Sequence, residues 1–160
     1  MARRHRININ APGHAHELTF SCYRRFPFLK AERTCEWLAE SVNTARREQD
    51  FGLWAYVFMP DHVHMIVWPH QVIYDIATIR QAIKAPVARR AIDHLKQHSP
   101  EWLKRITRQR GDKTERLFWQ SGGGYDRNIT KGQTLMGMID YIHANPVRKG
   151  LVERDRKSVV

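Results

Sequence analysis

Two histidines separated by one residue are the first candidates for chemistry in this chain of 160 residues. His62 and His64 follow a Pro-Asp turn in the stretch MPDHVHMIVWP. In a strand, residues i and i+2 point to the same side, so both imidazoles would leave one face while Val63, Met65 and Val67 leave the other, towards the core. Two such imidazoles can converge on one metal ion, although the ion needs at least one further donor. Spacing alone favours an ordinary hairpin with two histidines and no metal over a metal site.

A tyrosine and an asparagine late in the chain could complete such a site. Tyr141 and Asn145 are four residues apart in a stretch with helical periodicity, so they share one helical face, and Gly137 one turn earlier would leave the phenol open to a bulky substrate. A tyrosine hydroxyl is a poor nucleophile unless an ion neutralises the charge that develops on a phosphodiester. The four side chains together would form a metal clamp and a nucleophile. The alternative for Tyr141 is a packed aromatic ring with a satisfied hydroxyl.

The first half of the chain predicts the elements that must position the histidines. Alternating apolar residues favour a strand, helical spacing favours a helix, and an aromatic run joined to HVHMIVW by Pro60-Asp61 favours a hairpin. A second helix should be kinked or broken at Pro86. The predicted ranges are a strand at 16–25, a helix at 30–49, strands at 53–59 and 62–68, and a helix at 73–98.

The second half predicts the elements that carry the tyrosine. Residues 99–116 are polar and basic and are expected to form a loop with one helical turn, followed by a short strand at 117–120 and a flexible triple-glycine loop at 122–124. YDRNI resumes extended structure. Thr130 and Gln133 have the spacing of a capping box that opens the last helix, and Pro146 should end it.

The resulting order β-α-ββ-α-β-α predicts an α+β fold, a ferredoxin-like antiparallel sheet covered by helices. The length suits one domain, and 42% hydrophobic residues with five tryptophans can form a sizeable core. We expect a basic N-terminal arm at 1–14, a single domain at 15–152 with the basic loop insert at 99–116, and a short C-terminal tail at 153–160.

The charge balance favours a polyanionic partner. The chain has 27 Lys and Arg against 16 Asp and Glu, a net charge of +11, and its basic residues are spread along the sequence. This pattern suits a folded surface that holds nucleic acid, without distinguishing DNA from RNA. Two isolated cysteines, no secretory signal and no apolar stretch of about 18 residues predict a cytoplasmic protein without a membrane partner.

Three motifs in this order resemble the REP-associated tyrosine transposases, a branch of the single-tyrosine HUH transposases: MPDHVHMIVWP, FWQSGGGYDRNI and MIDYIHANPVRKGLV. The resemblance covers residues 15 to 152. It implies a ferredoxin-like enzyme that cuts and rejoins single-stranded DNA near hairpin-forming repeats. His62 and His64 would be metal ligands with Asn145 as the third, and Tyr141 would form a 5′-phosphotyrosine and free a 3′-hydroxyl.

The resemblance implies Mg²⁺ or Mn²⁺, which hard phosphate oxygens also favour, although the protein donors alone would accept zinc. The partner would be single-stranded or hairpin DNA, bound by a monomer or a homodimer. Family members commonly continue past GLV into a tail with tryptophan and serine, whereas this chain ends in ERDRKSVV, which suggests that the protein is either shortened or a remnant. The candidate DNA contacts are basic: Arg24, Arg25, Arg108, Arg110, Arg127, Arg148 and Lys149.

Two other functions fit parts of the sequence. A domesticated protein that binds structured DNA repeats without cutting them would use the same fold and charge. An RNA-binding ferredoxin-like module would need paired aromatic residues inside an RNP-type motif. Trp54, Tyr56 and Phe58 alternate in the predicted strand, but the motif is absent and core packing is their predicted role.

Overall fold

The computed structural model describes residues 8–148, with the backbone alone at 145–148. The central sheet has the strand order β2-β3-β1-β6, and each neighbouring pair is antiparallel, which confirms the predicted ferredoxin-like arrangement. In chain order the elements are β1 (Ala15–Ser21), α1 (Glu32–Gln49), β2 (Phe51–Phe58), β3 (His62–Pro69), α2 (Ile76–His98), α3 (Pro100–Arg105), β4 (Thr107–Arg110), β5 (Lys113–Arg116), β6 (Tyr125–Ile129) and α4 (Gly132–Arg148).

Helices cover both faces of the sheet. Val63, Met65 and Val67 of β3 face the main core with α1 and α2, as the alternation predicted. The opposite face carries α4 over a second apolar cluster. That cluster contains Ala15, Ala55, Ile66, Ile129, Met138 and Ile142. The layer that holds α4 is therefore the layer towards which the two histidines point.

Helix α2 runs through Pro86 without a break, so of the predicted kink or break the break does not occur. A proline cannot donate to the carbonyl four residues before it, here that of Ala82. The Ser41 hydroxyl of α1 donates to the carbonyl of Ile83 at 2.7 Å and approaches that of Ala82 at 3.4 Å. The Ser41 hydroxyl thus supplies a donor from outside α2 beside the carbonyls that precede the proline, and packing on the core keeps the helix continuous.

The segment between α2 and β6 differs most from the prediction. The expected basic loop at 99–116 contains the short helix α3 and a separate hairpin, β4–β5. The predicted strand at 117–120 is wrong: Trp119 makes one isolated bridge with Cys22, because the chain here runs beside β1 only after that strand has ended. The fourth strand of the sheet is Tyr125–Ile129 instead.

Both predicted ends of the last helix are also wrong. Helix α4 begins at Gly132, and the first bond runs from the Leu135 N–H to the Lys131 carbonyl, so Lys131 rather than Thr130 holds the capping position. The helical backbone passes through Pro146 and ends at Arg148. A proline near the last turn removes a single backbone hydrogen bond, which the helix tolerates.

The aromatic residues of β2 lie differently from the predicted core positions. A register shift between Leu53 and Ala55 makes a bulge, and Trp54 and Tyr56 remain 41% and 38% exposed. Of the three aromatic residues predicted for the core, Trp54, Tyr56 and Phe58, Phe58 alone packs partly against the main core. Within residues 8–148, no helix combines the length and the apolarity needed to cross a membrane.

Candidate active site

The two histidines of β3 meet on the side of the sheet that α4 covers. The Nε2 atoms of His62 and His64 are 3.1 Å apart, and the ring planes are nearly perpendicular at 87°. His62 is buried and His64 is half-buried. The alternation of the strand therefore brings both imidazoles to one point, as their spacing predicted.

Neighbouring side chains hold the other nitrogen of each ring. Nδ1 of His62 lies 2.6 Å from Oδ1 of Asp61, and Nδ1 of His64 lies 2.8 Å from Oγ1 of Thr19 on β1. Metal-bound histidines usually have such partners, which fix the ring orientation. Asp61 and Thr19 were missed by the sequence interpretation, because Asp61 was taken only for a turn residue and Thr19 is adjacent only through the β1–β3 register.

Arg25 extends this network to the surface. Its Nε lies 2.8 Å from Oδ2 of Asp61, and its Nη1 donates to Oγ of Ser21 at 2.9 Å. Burial disfavours ionisation of Asp61, but the hydrogen bond from His62 and the charge of Arg25 outweigh it and lower the pKa of the carboxyl group. The carboxylate is thus kept charged beside the ring that it orients.

The donor geometry fits a divalent ion on the Nε2 side. Two ligands about 2.1 Å from an ion, at right or tetrahedral angles, are roughly 3.0–3.4 Å apart, and the observed separation lies in that range. Among the described residues, no three His, Cys, Asp or Glu side chains are grouped to hold an ion. The predicted third ligand, Asn145, has its side chain outside the described part of the structure.

Tyr141 is brought to the same place by α4. Its ring stands edge-on to His64, with ring centroids 6.2 Å apart, and 46% of the residue is exposed. Met138 and Ile142, on the same helix, are buried in the second cluster and seat α4 on the sheet. A side-chain carbon built at Gly137 meets nothing within 4 Å, so the approach to the phenol is open on that side.

The candidate DNA contacts are dispersed, and Arg25 alone among those with described side chains joins the histidine network. Arg24 and Arg25 are exposed and have the left-handed φ values 52° and 58°, a strained turn that the nearby structure must hold. Arg127 is exposed on β6 opposite Glu17 of β1. Arg108 pairs with Glu115 within the β4–β5 hairpin, and Arg110 is exposed at its end. The Arg148 side chain and all of Lys149 lie outside the described residues.

A third histidine braces the sheet from the main-core side. His16 is fully buried, with Nδ1 2.7 Å from Oδ1 of Asp126 and Nε2 2.7 Å from the Tyr74 hydroxyl. That hydroxyl donates its proton to the Ala11 carbonyl, so it accepts from His16. The two contacts of His16 therefore join β1 to β6 and to the segment that precedes α2.

A comparison with known protein families identifies the family of this chain. The model of the family described as "Transposase IS200 like" matches residues 12–145. Because this match covers most of the chain, the protein belongs to the IS200-like transposases and is a DNA transposase.

Two solved structures share the fold. A REP-associated tyrosine transposase bound to a REP hairpin aligns with a TM-score of 0.70 at 21% identity, over 96% of this chain and 78% of that chain. A provisionally assigned transposase from Deinococcus radiodurans R1 aligns with a TM-score of 0.51, also at 21% identity, over 89% of this chain and 94% of that one. A comparison with curated proteins finds no match.

Proposed function

We propose that this protein is a REP-associated tyrosine transposase that cuts and rejoins single-stranded DNA beside hairpins. Tyr141 is the nucleophile, and His62, His64 and Asn145 hold Mg²⁺ or Mn²⁺. The observation that carries the proposal is the meeting of two elements distant in sequence: the paired Nε2 atoms on β3 and the Tyr141 ring on α4 beside His64.

The cleavage step exchanges one phosphoester bond for another. The phenol oxygen of Tyr141 attacks phosphorus, the bond to the 3′-oxygen of the preceding nucleotide breaks, and the products are a 5′-phosphotyrosine and a free 3′-hydroxyl. The phenol proton passes to solvent, and the departing 3′-oxygen takes up a proton. Rejoining is the same exchange in reverse, with a 3′-hydroxyl as the attacking group. A bound Mg²⁺ or Mn²⁺ would supply positive charge against the phosphoryl oxygens.

The chain's own residues prepare this step before DNA arrives. Asp61 and Thr19 orient the two imidazoles, and Arg25 keeps the Asp61 carboxylate in place. A preformed arrangement of this kind lowers the cost of reaching the reactive geometry. The exposed part of Tyr141 and the open space at Gly137 leave room for a DNA backbone.

Hairpin DNA is the proposed partner for two reasons. The net charge of +11 favours a polyanion, and the similar transposase was solved with a REP hairpin bound. The likeness to that protein in fold extends over nearly the whole of this chain.

A covalent-adduct experiment tests the proposal. Incubation of the protein with a labelled hairpin that carries a single-stranded flank, in the presence of Mn²⁺, should give a protein-DNA adduct that maps to Tyr141. Tyr141→Phe should form no adduct, because it lacks the attacking oxygen, and should still bind the hairpin. Tyr56→Phe, at an exposed tyrosine on β2, is the matched control and should form the adduct normally.

The outcomes of this experiment distinguish a DNA-cleaving enzyme from a protein that only binds DNA. An adduct that persists in Tyr141→Phe would refute the assignment of the nucleophile. A wild-type protein that binds the hairpin but gives no adduct would favour the domesticated, non-cleaving alternative. Replacing both His62 and His64 by alanine should abolish metal-dependent cleavage, and cleavage that survives this change would refute the ligand assignment.

A further inference from the structure

Helix α2 carries two buried cations that the proposed reaction does not use. Arg80 and Lys84, one helical turn apart, are only 9% and 8% exposed. The Lys84 ammonium lies over the Phe20 ring, 5.6 Å from its centroid. Throughout the described structure, no carboxylate lies within 4 Å of either cation, and neither side chain donates a hydrogen bond. Lysine and arginine are seldom buried without a partner, because the lost hydration is costly.

The two cations of α2 act on each other. Burial and, as the smaller cause, the neighbouring Arg80 charge lower the pKa of Lys84 to about 8. Asp126 and Asp75 attract Arg80, but Asp126 is already paired with His16. Within the described residues, neither carboxylate forms an ion pair with Arg80.

Lys84 lines an open recess on the protein surface. The recess has a volume of about 220 Å³ and lies between α2 and the segment that follows β5. Its polar walls include Lys84, Arg116, Gln120, Ser121 and the backbone at Gly122. We refer to this cavity as the α2 recess. A phosphate group fits its size, its charge and its supply of donors.

The triple-glycine segment links the α2 recess to the histidines. A side-chain carbon at Gly123 would lie 2.8 Å from Nη2 of Arg80, and one at Gly124 would lie 2.2 Å from the carbonyl oxygen of Thr19. The segment is therefore pressed between Arg80 and β1, and is not the unconstrained loop that its composition suggested. Thr19 is the same residue whose hydroxyl contacts His64. The glycine segment therefore contacts Arg80, one turn before Lys84 on α2, and the backbone of the residue that contacts His64.

We infer that the α2 recess binds a backbone phosphate of the single-stranded DNA that flanks the hairpin, on the strand that crosses Gly122–Gly124 to reach the histidine pair. A flexible single strand can place one phosphate into a cavity, whereas a duplex presents its phosphates on a broad, stiff surface. The inference rests on the proposed function, which supplies the strand.

The test is a binding measurement that does not depend on cleavage. All proteins carry Tyr141→Phe, and Lys84→Met is compared with Lys96→Met, a matched change of an exposed lysine on the same helix. With the flanked hairpin, Lys84→Met should raise Kd about five- to tenfold and reduce the slope of log K against log salt by about 0.7, the loss of one single-strand phosphate contact. The melting temperature of free Lys84→Met should rise, because a buried unpaired charge has been removed.

A second hairpin without the flank locates the contact. The difference between Lys84→Met and its parent should disappear with this DNA. Equal affinities and slopes on the flanked hairpin would overturn the inference, as would an equal loss on the hairpin without its flank. A parent that binds neither DNA would refute the proposed function and the inference with it, whereas a parent that binds and is indifferent to Lys84 refutes only the inference.

Inorganic phosphate distinguishes a DNA site from a site for the free anion. At constant ionic strength, phosphate in place of chloride should raise the melting temperature of the parent and not that of Lys84→Met. If Lys84→Met loses this phosphate effect but keeps full affinity for the flanked hairpin, the recess takes free phosphate, and the assignment to DNA is wrong.

Discussion

At the scale of single residues, the protonation of the two imidazoles follows from their partners. An ionised Asp61 can only accept, so the proton of a neutral His62 lies on Nδ1 and its Nε2 is left as a lone-pair donor. The Thr19 hydroxyl can donate or accept. For Nε2 of a neutral His64 to be free to bind a metal ion, the Thr19 hydroxyl must accept a hydrogen bond from Nδ1. If the hydroxyl donates instead, the proton of His64 lies on Nε2, towards His62.

We expect Thr19→Val to weaken Mn²⁺ binding about 10- to 100-fold, because the His64 ring loses the group that fixes its orientation. Titration calorimetry with Mn²⁺ measures the effect. Thr44→Val, at an exposed position of α1, is the control and should bind Mn²⁺ like the wild type. Thr19→Ser should restore most of the affinity; an unchanged affinity in Thr19→Val would show that the hydroxyl does not orient the ring.

Residue types and spacing were sufficient to propose His62, His64 and Tyr141, because strand and helix periods determine which side chains share a face. Thr19 could not be found in the same way, since its contact with His64 depends on the pairing of β1 with β3. The helical periodicity of residues 73–98 does not single out Lys84. Its burial results from the packing of α2 onto Phe20 and Trp119, which no local pattern encodes.

At the scale of elements, α2 depends on its neighbours around Pro86. The Ser41 hydroxyl reaches two carbonyls from α1, and the Trp119 indole Nε1 donates to the Lys84 carbonyl at 2.9 Å. These bonds come from parts of the chain that fold around the helix. They fix the position of the part of α2 that carries Arg80 and Lys84, and Arg80 lies beside the glycine segment.

We expect Ser41→Ala to destabilise the protein by about 1–2 kcal/mol, because a buried carbonyl loses its donor. Chemical denaturation of the single and double variants measures this. In a Pro86→Ala background the same change should cost less, since the restored N–H of residue 86 can bond to the Ala82 carbonyl. Equal costs in both backgrounds would mean that Ser41 does not compensate for the proline.

The elements that the sequence predicted well are those whose apolar residues recur with a clear helical or strand spacing. Strands β2 and β3 and helices α1 and α2 appear close to their predicted ranges. The strand predicted at 117–120 failed because alternation does not reveal whether a partner strand extends far enough to pair. The β4–β5 hairpin was missed because its strands are mostly polar and basic and lack the β-branched and aromatic residues that mark a strand.

At the scale of the whole molecule, charge governs the encounter with DNA. The net charge of +11 is spread over helices, turns and the β4–β5 hairpin, so several phosphates can be neutralised at once. Binding then releases counterions, and the observed affinity falls as salt rises.

We expect hairpin binding by Tyr141→Phe to weaken on the order of 10²- to 10³-fold between 50 and 200 mM KCl, as roughly six single-strand phosphate contacts would require. Fluorescence anisotropy across this range gives the slope directly. A nearly flat dependence would contradict a phosphate-dominated interface, whatever the affinity at one salt concentration.

The bulge at Trp54 has a consequence for how molecules of this protein meet one another. Among the described strands, β2 is at one edge of the sheet, where backbone donors and acceptors could recruit a strand from a second molecule. The register shift divides that edge and leaves only Ala55–Phe58 in regular pairing beyond it. Such an interrupted edge disfavours extension of the sheet from one molecule to the next, and with it aggregation.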